Sequence, residues 1–288
     1  MANTSRKDRI RLSRPPHQNP RSHRTPSGVG LGRKRRDDDR WVYGRHAVAA
    51  ALANPERRWR RLAALVGQKA EGQQLIAEAV AERRGAEGAS LVLLDHDALA
   101  ALLPPGAVHQ GLALEVEPLA EPDLDDLLRE LETAAGRRVI VALDQVSDPQ
   151  NVGAVLRSAA AFGARAVLIA AHGAPPVNGA LAKAASGAAD RLPLIRVVNL
   201  ARSLGRLKEA GFWICGLDES ADQPLAALDL GPRAVLVLGS EGGGMRRLVR
   251  EHCDFVARLP TLALQPTLNV SNAAAVALYE LARSTGSR

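Results

Sequence analysis

Cysteine is nearly absent from this chain: Cys215 and Cys253 are the only two in 288 residues. That excludes a disulfide framework and any cysteine-rich zinc site, and it suits a reducing compartment. No apolar run reaches the roughly 18 residues that a membrane-spanning helix needs. Aromatic residues are only 3 % of the chain, too few for a platform on which single-stranded RNA bases stack. Lysine is scarce too, at 5 of the 38 basic residues. Arg and Ala dominate everywhere, so Arg abundance by itself carries little functional weight. Neither a P-loop nor a G-x-G-x-x-G fingerprint in its usual place near the first strand of a domain is found, which disfavours nucleoside triphosphates and a dinucleotide-dependent oxidoreductase.

Net charge is also lacking over most of the chain. The total is +7, but residues 1–40 hold 12 Arg and Lys against 4 Asp, and the remainder stands at −1. The first 40 residues are rich in Pro, Ser and Arg with almost nothing to bury, so they read as a disordered basic tail. Such an arm either contacts RNA through phosphates or only solubilises the chain. A secretory signal would need an apolar stretch of roughly 7–15 residues, which the tail does not have. Pro15, Pro16, Pro20 and Pro26 interrupt any amphipathic transit helix. The expected compartment is the cytoplasm.

What is present falls into two α/β regions. Residues 41–117 alternate short strands (62–66, 91–94, 111–116) with helices near Gly44 and over 71–84, a small α/β unit. Arg57, Arg58, Arg60 and Arg61 flank Trp59, as an RNA-facing edge or as a solvated helix end with a buried Trp. Residues 118–137 read as a linker, E-P-L-A-E-P being its start, and a first amphipathic helix over 124–131. Residues 138–288 then alternate strands (139–143, 166–170, 194–198, 212–216, 234–238, 255–259) with helices (from about 151, 180–185, 199–210, 272–283). This is the pattern of a mostly parallel sheet covered on both faces.

In open α/β sheets ligands gather beyond the carboxyl ends of the strands, and three polar loops lie there. The first carries Asp148-Pro149 and leads to Asn151 at a helix start, where an amide can cap the helix or project into a site. Arg157, further along that helix, lies off its apolar face and has no acid three or four positions away; it is a functional guanidinium or a solvated one. The second loop, Gly239-Ser-Glu-Gly-Gly-Gly244, lets a ligand approach the backbone closely, and Glu241 within it argues against a polyphosphate. The third runs Thr267-Leu-Asn-Val-Ser271 into the last helix.

Together, N-V-G-A-V-L-R-S-A, G-S-E-G-G-G-M and T-L-N-V-S-N-A resemble the three signature motifs of the SpoU (TrmH) family of the SPOUT class, RNA ribose 2′-O-methyltransferases that use S-adenosyl-L-methionine. The resemblance covers residues 138–283. The upstream Y-G-R-H-A-V and the segment E-G-G-G-M-R-R-L-V-R-E-H-C-D are similar to the members that act on a guanosine of the peptidyl-transferase region of large-subunit ribosomal RNA. It implies a SPOUT-type α/β/α sheet whose end threads a trefoil knot, a homodimer with the site near its interface, and no metal. It assigns Leu238, Gly239, Ser240, Leu259 and Leu268 to the cofactor, and Arg157, Asn151, Glu241 and Asn269 to catalysis. Thr267 where Ser is usual, Thr261 where Met is common and Gln265-Pro266 depart from the pattern around the pocket rim. The same motifs occur in relatives acting on transfer RNA or other ribosomal sites, and a silent RNA-binding assembly factor would share the fold.

Overall fold

Two sheets organise the chain. The computed structural model describes residues 40–82, 90–177, 179–262 and 267–285; the basic tail, the end of the helix expected over 71–84, and Gln265-Pro266 lie outside the described residues. The smaller sheet holds β1 (Trp41–Tyr43), β2 (Trp59–Leu65), β3 (Ser90–Leu94) and β4 (Leu112–Val116) in the order β1-β4-β2-β3. β4 is antiparallel to both its neighbours, and β2 and β3 are parallel. Helices α1 (Arg45–Ala53), α2 (Lys69–Glu82) and α3 (His96–Ala101) accompany it. At six residues α3 is too short to show a helical apolar period; it forms because Asp95 accepts the Ala98 N–H at its start.

The arginines around Trp59 sit at the beginning of β2 rather than at a helix end. Three of them are paired with carboxylates: Arg57 with Asp190 at 2.7 Å, Arg61 with Glu115 at 2.7 Å and, more loosely, Arg60 with Glu117 at 3.7 Å. Arg61 also stands 5.4 Å over the Trp41 ring, a cation–π contact.

The larger sheet follows α4 (Leu124–Thr133) and comprises β5 (Arg138–Leu143), β6 (Ala166–Ala170), β7 (Leu194–Val197), β8 (Trp213–Leu217), β9 (Gln223–Pro224), β10 (Arg233–Leu238) and β11 (Phe255–Arg258). Their order is β7-β6-β5-β10-β8-β11-β9, and every pairing is parallel. Along β5, Val139, Val141 and Leu143 join one core while Ile140 and Ala142 join another, and β10 alternates in the same way. Period-two alternation between two buried faces is why these strands read as unbroken apolar runs. One face is covered by α5 (Pro149–Ala161), α6 (Gly179–Ala185) and α9 (Val270–Thr285). The other carries α4, α7 (Leu200–Glu209) and α8 (Arg247–Glu251).

The strand order places the ligand-binding end. From β5 the chain steps outward through β6 to β7, then returns on the far side at β8, and β10 later fills the gap beside β5. The direction of winding therefore reverses between β5 and β10. Loops diverge at such a switch point and leave a crevice beyond the strand ends.

Candidate active site

The three polar loops meet at that crevice. Asp148 accepts the Gln150 N–H at 3.1 Å and Pro149 occupies the first turn of α5, so the helix is capped without Asn151. The Asn151 amide is thereby free to reach across the sheet end, and its Nδ2 donates to Glu241 Oε1 at 3.1 Å. Asn269, just before α9, uses its two ends differently. Its Oδ1 accepts the Ser271 N–H at 2.9 Å and hydroxyl at 2.6 Å, securing the helix start. Its Nδ2 donates to Glu241 Oε1 at 2.6 Å and to Asn151 Oδ1 at 3.1 Å. Asn151, Glu241 and Asn269 thus close a triangle, each from a different loop. Glu241 Oε2 carries no hydrogen bond among the described residues.

The glycine loop is folded onto itself by a two-bond bridge between Ser240 and Gly244. Gly239 admits no side chain there, since a Cβ would stand 2.0 Å from the Gly244 carbonyl carbon. Gly242 and Gly244 take φ values of +79° and +62°, a region that disfavours residues with a Cβ. The loop's far end is held by Asp144, which is completely buried at the end of β5. It accepts the Arg246 backbone N–H and Nε at 2.8 Å each, with the second guanidinium nitrogen at 2.6 Å. Charge-assisted bonds of this kind each contribute roughly 1.5–3 kcal/mol, so the loop bearing Glu241 is anchored to β5 at both ends of its turn.

Beside the triangle opens a cleft of about 670 Å³. Leu238, Leu259 and Leu268 give it apolar walls, and Gly239 and Ser240 lie along it. The five residues assigned to the cofactor by resemblance, together with Glu241 and Asn269, therefore line one cavity. Missing from the sequence reading was the end of β8 and the turn after it, where Leu217, then Asp218, Glu219 and Ser220, complete the lining. Burial acts to raise the Asp218 pKa, but the Ser220 and Arg250 contacts outweigh it and hold the carboxyl below the usual range. Among the described residues the lining holds three carboxylates (Asp218, Glu219, Glu241) and no Lys, Arg or His. Such a cavity rejects a polyphosphate and favours a neutral or cationic ligand.

Arg157 is placed apart from this lining. It projects from the exposed side of α5, two turns beyond Asn151, and forms no ion pair or hydrogen bond among the described residues. Neither cysteine is poised as a nucleophile: burial pushes the Cys215 thiol up to about 12 and the Cys253 thiol up to about 11, so both stay protonated at neutral pH.

Fold and cleft together define an α/β protein that takes a neutral or cationic ligand at the topological switch point of a parallel sheet. The chain belongs to the SpoU rRNA Methylase family, which matches residues 138–279. Residues 41–122 match a second family, described as RNA 2'-O ribose methyltransferase substrate binding. A relative from Xylella fastidiosa, the 23S rRNA (guanosine-2'-O-)-methyltransferase RlmB, is 41 % identical over 85 % of this chain and 96 % of its own length. The protein of the same name from Pseudomonas aeruginosa is 40 % identical over 84 % of this chain and 95 % of its own. Among solved structures, the SpoU methyltransferase AviRb from Streptomyces viridochromogenes, crystallised with AdoMet, shares the fold. Its TM-score is 0.69 at 24 % identity, over 86 % of this chain and 90 % of that one.

Proposed function

We propose that this protein transfers a methyl group from S-adenosyl-L-methionine to the ribose 2′-hydroxyl of a guanosine in 23S rRNA, within the peptidyl-transferase region. The carrying observation is the closed triangle of Asn151, Glu241 and Asn269 over a cleft lined by carboxylates and leucines. The relatives' names supply the RNA.

The cavity fits the cofactor on its own chemistry. Leucine side chains suit a purine and a thioether carbon skeleton, the side-chain-free Gly239 lets the backbone approach, and carboxylates suit an ammonium and a sulfonium. When bound, the cofactor supplies a methyl group already activated on sulfur. What this chain must add is placement of the sugar hydroxyl in line with that methyl, and stabilisation of the charge left on oxygen as its proton departs. The two asparagine amides fix Glu241, whose unbonded Oε2 takes the proton or orients the group that does. A guanidinium is not a base at physiological pH. Arg157 therefore serves as a clamp on the neighbouring phosphate and a stabiliser of the alkoxide.

Arg157 is exposed, forms no hydrogen bond or ion pair among the described residues and lies outside its own cleft, which favours a second copy of the chain as the one that receives it. We place it in a homodimer packed through α5 and α9, where Val276 and Tyr279 leave apolar surface open (47 % and 54 % exposed). The remaining parts of the reading are the trefoil knot at the end of the sheet, a substrate-binding unit over 41–117, a linker with first helix over 118–137, a methyltransferase unit over 138–288, and a cytoplasmic location. Incubation with labelled S-adenosyl-L-methionine and either unmodified 23S rRNA or transfer RNA tests the substrate. Label confined to the 23S rRNA is expected; label in transfer RNA, or in neither, contradicts the proposal.

A further inference from the structure

The seam between the two sheets carries a polar mouth that the reaction described above does not use. Gly44 turns the chain from β1 into α1 at φ +88°, and the Lys183 ammonium lies directly against it: a Cβ on Gly44 would stand 2.5 Å from Nζ. Lys183 Nζ donates to Gln110 Oε1 at 2.7 Å, and the Arg45 N–H donates to the same oxygen at 3.2 Å. Gln110 is held at φ +52°, a backbone conformation that is unfavourable for a residue with a Cβ and that tends to persist at functional positions. The Arg45 side chain is two-thirds exposed and shares one acid, Glu71, at 2.7 Å. Lys183 has no carboxylate partner among the described residues. Burial lowers its pKa, and an incoming anion would stabilise the charged ammonium against that desolvation.

The mouth belongs to both sheets and is rigidly set. Lys183 comes from α6, which packs on the larger sheet, whereas Gly44 and Arg45 at the start of α1 and Gln110 just before β4 belong to the unit built on the smaller sheet. Beneath it, Arg57 and Asp190 pair with side chains 4 % and 1 % exposed, and Asn54 Nδ2 donates to the same Asp190 oxygen at 3.3 Å. Gly179 is pressed so closely on β1 that a Cβ would stand 2.5 Å from the Trp41 carbonyl oxygen. On its other side α6 crosses the start of α5, where a Cβ on Gly153 would stand 2.5 Å from the Ala184 methyl. Gly153 is two residues from Asn151. One helix crossing thus separates the mouth from the catalytic triangle.

We propose that Lys183 and Arg45, held in place by Gln110, form an RNA phosphate-binding site across the seam that sets the distance from bound RNA to the cleft. This rests on the reading of the substrate as RNA. A phosphate replaces the missing counter-charge of Lys183, and two cations flanking an amide suit the backbone of a folded RNA, which is recognised by shape and phosphate position.

The test uses the full chain with unmodified 23S rRNA transcribed in vitro, and measures the RNA Kd across a salt series together with KM and kcat. Lys183→Gln is expected to raise the RNA Kd and KM about ten-fold and to flatten the plot of log K against log salt by roughly one unit. The loss should fall on KM rather than kcat, the S-adenosyl-L-methionine Kd should not move, and Lys183→Arg should restore RNA affinity. Arg45→Gln, at a more exposed position, gives a second reading that does not depend on how Lys183→Gln folds. RNA affinity and salt slope unchanged in both variants would overturn the proposal. Because RNA binding is read without turnover, a chain that transfers no methyl group sinks the reaction while leaving this site to be judged by its slope.

Discussion

Arg157→Ala is expected to lower the single-turnover rate of methyl transfer about 10³-fold, the scale lost with a group that stabilises developing negative charge, while S-adenosyl-L-methionine binds within about two-fold of the parent. The side chain forms no hydrogen bond or ion pair among the described residues that its loss would break. It is exposed on α5, so thermal stability should change by less than about 0.5 kcal/mol. A large catalytic loss without a structural one would be the signature of a group that acts only on the reacting atoms. A mixing experiment then asks which copy supplies the guanidinium. If it crosses the dimer, protomers carrying Arg157→Ala and protomers carrying Glu241→Gln, each inactive alone, regain activity when unfolded and refolded together. The mixed dimer then has one site with an intact Glu241 and a partner's intact guanidinium. No recovery would place Arg157 and Glu241 in the same chain's site. Near-parent turnover in Arg157→Ala alone would remove it from catalysis.

Glu241→Gln carries the second large effect, expected at about 10²–10³-fold on the same rate. The amide keeps the length and one acceptor oxygen, so the bonds from Asn151 and Asn269 can persist and the three loops stay joined. What disappears is the negative charge. If the carboxylate takes the proton or orients the group that does, the rate falls while cofactor affinity changes only a few-fold. Glu241→Ala should do more, since both asparagine amides lose their shared acceptor and the loops are no longer tied. Glu241→Gln with parent-like turnover would leave the carboxylate a purely structural tie. Comparing single-turnover rates and cofactor Kd for the two variants separates these roles.

How far the sequence carries depends on the kind of residue. β5 and β10 were legible because both faces of the sheet are buried, which forces an unbroken apolar run. α3, α8 and β9 were not, because a helix of five or six residues or a strand of two shows no period. The arginine cluster at 57–61 was left open for a different reason. Arg57 finds its partner 133 positions away in Asp190, and no local rule connects them. Asn151 could be read as a cap or as a site residue. Asp148 takes the capping role three positions earlier, which removes the first reading and leaves the Asn151 amide free for the second. Of the cleft, the glycine loop was legible in the residues themselves, whereas the leucines came only through family resemblance, since an apolar side chain at a strand end looks like any core residue. The acidic turn at Asp218–Ser220 went unseen because two acids and a serine after a strand look like any solvated turn. Asp144 lies in the polar stretch after β5, yet it is fully buried because Arg246, 102 residues on, comes back to it.

The central claim is that these three loops deliver a methyl group to a ribose oxygen, and nucleoside analysis of the product tests it most directly. Unmodified 23S rRNA treated with the protein and S-adenosyl-L-methionine should yield 2′-O-methylguanosine, from one position resistant to alkaline cleavage. Methyl groups found only on a base, or none above a control without protein, would contradict it.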